Sequence, residues 1–232
     1  PYVEAVSHGV TLSEGTALRP AETRCHMVLV RHSGTQQLLF VGPLTSAGMA
    51  VWGEGAEITW IRLSLGTFMP HLPTKDFLDT EAALPGATFQ SFWLKSAVRQ
   101  FPTYDNIETF VERLVREEVL VRDPLVSAVL EEQLHDYAPR TVRHRFLQAT
   151  GLTQKHIQQV ERAQQAARLL QQGISILDAV DEAGYFDQSH MTRAFRQWLG
   201  PTPAQIYQAS KACHFIQDES LWPAYNHATA VT

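Results

Sequence analysis

Over the first hundred residues the apolar positions alternate or run in short blocks, and from Thr103 onward they recur every three to four residues. Residues 1 to 23 show little periodicity and predict a loosely specified arm. Met27 to Val30 and Leu38 to Val41 are apolar runs with the Ser33-Gly34 turn signal between them, which predicts a β-hairpin. Strand character continues over Ala47 to Trp52, Ile58 to Leu65 and Phe89 to Leu94. In the second of these, Thr59, Ile61, Leu63 and Leu65 share one face and Trp60, Arg62 and Ser64 the other. Short strands broken by Gly and Pro predict a compact β-barrel or sandwich.

The helical half opens with Asp105 and Glu108 in a capping-box spacing, ahead of a stripe of Ile107, Phe110, Val111, Leu114 and Val115 that ends near Glu118. Val119 to Arg122 is the expected hinge. Asp123 caps and Pro124 opens a helix to about Leu134. Ala138 to Leu152 turns Val142, Phe146 and Ala149 inward and leaves Arg140, Thr141, Arg143, His144 and Arg145 projecting. Thr153 to Gln172 is a long helix buried along Ile157, Val160, Ala163, Ala167 and Leu170, stopped by Gly173. Ser175 and Asp178 cap the next, whose apolar face is Ile176, Ala179, Val180 and Ala183. Gly184 ends it in a sharp turn. Asp187 then caps a helix with Met191, Ala194, Phe195, Trp198 and Leu199 inside and Gln188, Ser189, Thr192, Arg193 and Arg196 outside. Thr202 and Pro203 start a last short helix through Tyr207, and Phe215, Leu221 and Trp222 of the tail are expected to pack back on a domain.

Amide, hydroxyl and guanidinium tips on one helix face are what a major-groove reader requires, because they donate to and accept from base edges in pairs. Net charge is −5, which argues against a nucleic-acid partner only until it is divided along the chain. Residues 1 to 121 hold nine Lys and Arg against thirteen Asp and Glu, whereas residues 138 to 210 hold eight against five. The half with the outward tips is the basic half, and local charge sets phosphate contact. Two widely separated cysteines, Cys25 and Cys213, match no metal or redox spacing, and no run of about 18 apolar residues is present, so a cytoplasmic protein without a membrane partner is expected.

The stretch ILDAVDEAGYFDQSHMTRAFRQWLGPTP, Ile176 to Pro203, resembles the signature of the AraC/XylS family of bacterial transcription regulators: apolar-x-Asp-small, Gly-aromatic, Ser-His-apolar-Thr-Arg-x-Phe-Arg and Gly-x-Thr-Pro. Val180 departs from the family's alanine, and Glu132 and Asp136 stand near positions where the family has a small residue and a glycine. The resemblance spans residues 124 to 208. It implies two helix-turn-helix units joined by the Thr153 to Gln172 helix, with double-stranded DNA at Arg140, Thr141, Arg143, His144 and Arg145 on one recognition helix and Gln188, Ser189, His190, Thr192, Arg193 and Arg196 on the other. It further implies a cupin-like barrel in the N-terminal half, a small-molecule effector, a dimer contact through the Ile107 to Val115 helix, and RNA polymerase as a partner if the protein activates.

Catalysis has little support in the residues. His26, His32 and His71 lack the convergent spacing of a metal site, and Ser64 and Ser91 lack a nucleophile elbow. Trp60 and Arg62 are the candidate effector residues, offering an apolar wall and an anion partner, or else an ordinary cation-π pair. The expected protein is an α+β regulator that needs no cofactor: a β-rich sensing or dimerising domain over 1–121, an all-α DNA-binding domain over 122–210 and a tail over 211–232. A cupin-like enzyme with a DNA anchor and an effector-independent DNA binder are the alternatives.

Overall fold

A computed structural model describes residues 1–130 and 138–213, the last three by backbone alone. The N-terminal half is a set of antiparallel strands: β1 (Val3–Val10), β2 (Gly15–Arg19), β3 (His26–His32), β4 (Thr35–Val41), β5 (Gly48–Trp52), β6 (Glu57–Leu63), β7 (Thr67–Phe68), β8 (Glu81–Ala83), β9 (Gly86–Thr88), β10 (Ser91–Leu94) and β11 (Ala97–Gln100). Five of them form one sheet in the order β1-β6-β3-β4-β8, three form a second in the order β11-β10-β9, and β2 pairs with β5. The expected hairpin is β3 and β4, turning at Ser33 and Gly34 with positive φ at both. β6 alternates as its sequence does, with Thr59, Ile61 and Leu63 buried and Trp60 and Arg62 half-buried.

The first 23 residues are not a loose arm. Val3 to Val10 pairs with β6 through its backbone, a role its mixed small and polar side chains do not announce. The sheets close over a core that includes Met27, Leu38, Phe40, Ile61, Leu63 and Phe92, and helix α1 (Ile107–Arg116) lays Ile107, Val111 and Leu114 into it. The Ile107, Val111 and Leu114 side of the α1 stripe is thus used within its own domain. Its cap also differs from expectation: Thr103 and Asn106 make the capping box one 3₁₀ turn upstream, where the Asn106 side chain accepts the Thr103 N–H at 2.9 Å.

The expected hinge is pinned. Val119 and Leu120 are buried in the same core, and strand β12 (Val121–Arg122) pairs with β7. The helices that follow are α2 (Pro124–Leu130), α3 (Pro139–Thr150), α4 (Gln154–Gln171), α5 (Ile176–Glu182), α6 (Gln188–Trp198) and α7 (Pro203–Cys213). α7 runs past Tyr207, where the sequence pattern ended it. Glu132, Leu134 and Asp136, and the tail residues Phe215, Leu221 and Trp222, lie outside the described residues.

Both helical units are built partly from the β domain. Phe68 joins Leu125, Val126, Val129, Phe146, Leu152 and Ile157 in one apolar cluster, and Ala21 joins the cluster of Val160, Ala179, Met191, Phe195 and Trp198. The main chain follows suit: Ala21 N–H donates to Trp198 O at 2.6 Å and Ala47 N–H to Gln197 O at 2.9 Å. These bonds satisfy carbonyls of the last turn of α6, which no amide within that helix can reach.

Candidate nucleic-acid interface and inter-domain cleft

Two local devices set α6. Gly184, at a φ of 67°, reverses the chain after α5, and Asp187 Oδ1 accepts the His190 N–H at 2.6 Å to cap the new helix. Burial of Met191, Ala194, Phe195 and Trp198 then fixes the rotation of α6. Gln188, Ser189, Arg193 and Arg196 are left exposed, and the spacing of Ser189, Arg193 and Arg196 puts them along one face. Two expected contacts are otherwise engaged. His190 is half-buried, edge-on to the Tyr185 ring at 5.2 Å, and the half-buried Thr192 hydroxyl donates to Gln188 O at 2.8 Å.

Tyr185 itself is buried, with the Arg162 guanidinium 5.8 Å from its ring centroid, and burial raises its phenol to about 12. It stays neutral and serves as packing.

On α3, Arg140, Thr141, Arg143 and His144 are exposed, around the turn from the buried Phe146 and Ala149. Arg145 is drawn away from them. Its Nη2 and Nε donate to the two oxygens of Asp123 at 2.6 and 3.0 Å, a two-point fork that ties α3 to the start of α2. Asp123 Oδ1 also accepts the Leu125 N–H at 2.9 Å, so one carboxylate caps α2 and holds α3. α4, 18 residues long, follows α3 in the chain and extends about 27 Å, and α6 packs along it, its Trp198 ring 6.4 Å from that of His156 in the first turn of α4.

Trp60 and Arg62 share a strand face but have different surroundings. Trp60 meets the His26 ring edge-on at 5.7 Å and lies under the Arg19 guanidinium at 5.6 Å, so its cation-π partner is Arg19. Arg62 Nη2 lies 2.8 Å from the buried Glu22 carboxylate, whose other oxygen accepts the N–H groups of Thr23 and Arg24. His26 Nε2 lies 3.8 Å from the same carboxylate, yet no ion pair forms at neutral pH, because burial lowers the ring to about 4. On its outer side Arg62 lines a cleft of about 590 Å³ between the β domain and α4, with Glu4 and Arg24 on one wall and Glu161, Arg162 and Arg168 on the other. Arg24 crosses toward α4, 2.7 Å from Glu4 and 3.4 Å from Glu161. Trp60 is not part of that lining. The sequence pattern singles out none of these α4 charges, and nothing in it brings Arg24 to Glu161, 137 residues away.

Among the described residues no group of three His, Cys, Asp or Glu is placed to hold a metal ion, and no helix is long and apolar enough to cross a membrane. His26 is buried beside Glu22, while His32 is exposed and bonded to Glu54 O at 3.0 Å.

A helix-turn-helix domain family matches residues 135–209, the segment that holds α3 to α6 and the first part of α7. Residues 135–209 carry a helix-turn-helix domain. The chain is also similar to the HTH-type transcriptional regulator RipA of Corynebacterium glutamicum, 34% identical over 133 residues, which is 50% of this chain and 40% of that protein. It thus spans about two fifths of the relative it matches. Two solved structures of ToxT from Vibrio cholerae align over most of the chain: one covers 88% of this chain and 98% of its own at 9% identity and a TM-score of 0.39. The other, whose ToxT is bound to (E)-4-(8-methylnaphthalen-1-yl)but-3-enoic acid, covers 89% and 100% at 8% identity and a TM-score of 0.41. That helix-turn-helix segment is where the exposed tips of α3 and α6 reside.

Proposed function

We propose that this protein is a sequence-specific DNA-binding transcription regulator whose two helix-turn-helix units enter successive major grooves of one duplex. The carrying observation is the exposed polar face of α6, Gln188, Ser189, Arg193 and Arg196, repeated in kind by Arg140, Thr141, Arg143 and His144 of α3. An α4 of about 27 Å is commensurate with the roughly 34 Å of a DNA turn, so both faces meet the same side of the duplex. Selection from random duplexes followed by hydroxyl-radical footprinting tests it. Two protected patches about 10 bp apart on one face are expected. A single patch would restrict DNA contact to one unit.

The cleft between the domains favours a further part of this reading, control by a small anionic effector. Arg62 and Arg24 on the β domain face Arg162 and Arg168 on α4, so a dicarboxylate or phosphate ester held between them would stiffen the joint between sensor and reader. Such a ligand competes with Glu4 and Glu161 for the same guanidinium groups. Thermal unfolding of the full chain with succinate, citrate and inorganic phosphate checks this: a saturable rise that Arg168→Ala removes is expected. Cytoplasmic location, self-association and contact with RNA polymerase belong to the same reading, the last only if the protein activates.

A further inference from the structure

Phe186 is 91% exposed, the barest large apolar side chain among the described residues, and it stands directly before the cap of α6. The residue before a helix cap commonly packs on the fourth helical residue, which here is Met191. Met191 is fully buried, but in a cluster that holds Tyr185, Ala183 and Phe195 and not Phe186. Tyr185 therefore fills the place next to the turn, and Phe186 contributes no packing to the fold. The ring is left open to a partner beside the first turn of α6.

We propose that Phe186 is a specificity-determining residue that packs against the C5-methyl group of a thymine in the major groove; the inference rests on the DNA-binding reading above. A docked helix-turn-helix brings the first turn of its second helix closest to the base edges. In α6 that turn begins at Gln188, two residues after Phe186. The donors and acceptors of Gln188, Ser189 and Arg193 suit the polar atoms of the groove, and the thymine methyl is the one apolar group the groove offers. Phosphates and water give a bare phenyl ring no comparable partner.

The test uses the full chain and a duplex that it has selected from random sequence. Each thymine of that duplex is replaced in turn by deoxyuridine, which removes only the methyl group. For the wild type, one or two replacements beside the bases protected by α6 are expected to weaken binding about fourfold, the worth of one buried methyl. Phe186→Ala is expected to lose roughly tenfold or more on the thymine duplex and to be indifferent to deoxyuridine at those positions, while Phe186→Leu keeps part of the discrimination. Because the side chain is exposed, both variants should unfold at the wild-type temperature. Equal loss by Phe186→Ala on thymine and uracil duplexes, no thymine at the α6 half-site, or intact DNA affinity with loss of transcription by added RNA polymerase would each overturn the proposal. Failure of the wild type to enrich any duplex is a separate outcome, which removes the DNA-binding reading and this inference with it.

Discussion

Ala21 donates its backbone N–H to the carbonyl of Trp198 at 2.6 Å, joining a loop of the β domain to the last turn of α6. Leu18 lies close by, so that a Cβ at position 200 would overlap its Cδ2. Gly200 also has a φ of 95°, a conformation that side chains with a Cβ resist. Gly200→Ala is expected to cost about 1 to 3 kcal/mol in urea unfolding, and Leu18→Ala in the same chain to recover the part due to overlap while the backbone part remains. No recovery at all would show that Leu18 yields freely.

The Arg145 fork onto Asp123 separates two arginines that are neighbours in sequence. Arg145→Ala is expected to lower stability by about 1 kcal/mol, the pair being partly exposed, and to leave the salt dependence of DNA binding unchanged. Arg143→Ala is expected to do the reverse, making the slope of log K against log salt shallower by about one unit with unchanged unfolding. An altered slope in Arg145→Ala would mean that the fork opens on DNA.

His26 makes stability depend on acid. Its folded ring is lowered to about 4, chiefly by burial, from an ordinary value of 6.5. Between these values the unfolded chain binds a proton that the folded chain refuses, so the contribution is complete above pH 6.5 and is lost as pH falls toward 4. The loss amounts to about 3 kcal/mol at most. Denaturant midpoints from pH 7.5 to 4.5 should fall for the wild type, and a neutral His26→Gln chain should lose this part of the slope. Parallel curves would assign the acid sensitivity to carboxylates.

Arg193 and Arg196 are both exposed on α6, one turn apart. Arg193→Ala is expected to cost about 1 to 3 kcal/mol on the selected site and to relax preference at one base pair, because an arginine there can bind guanine O6 and N7 together. Arg196→Ala is expected to weaken all duplexes alike. Equal loss on selected and random DNA for Arg193→Ala would reassign it to the phosphates.

What the sequence discloses follows the range of the forces involved. The α6 region is set by Ser175, Gly184, Asp187 and the Met191 to Trp198 stripe, all acting within a turn or two, and each takes the role its local chemistry predicts. The strand from Val3 to Val10 was not legible, because it is held by main-chain bonds to β6 and its side chains alternate poorly. The sequence pattern presents Arg145 as a projecting tip because its Asp123 partner lies 22 residues earlier, outside the periodicity of its own helix. Arg62 was legible as a polar strand residue, whereas the cleft it borders needed α4 to be laid across the sheet.

The bonds from Ala21 and Ala47 bear on how this reader can be cut out of its chain. A fragment beginning at Asp123 would retain every helix from α2 to α7, yet the carbonyls of Gln197 and Trp198 would lose their amide donors and Phe146 would lose the cover of Phe68. Grafted onto another sensor, such a fragment would carry an α6 that frays at its far end and a first unit open on one side. The practical boundary of the helix-turn-helix part therefore runs through the β domain, and a transplant that preserves it must bring the loop around Ala21 and the strand of Phe68 along.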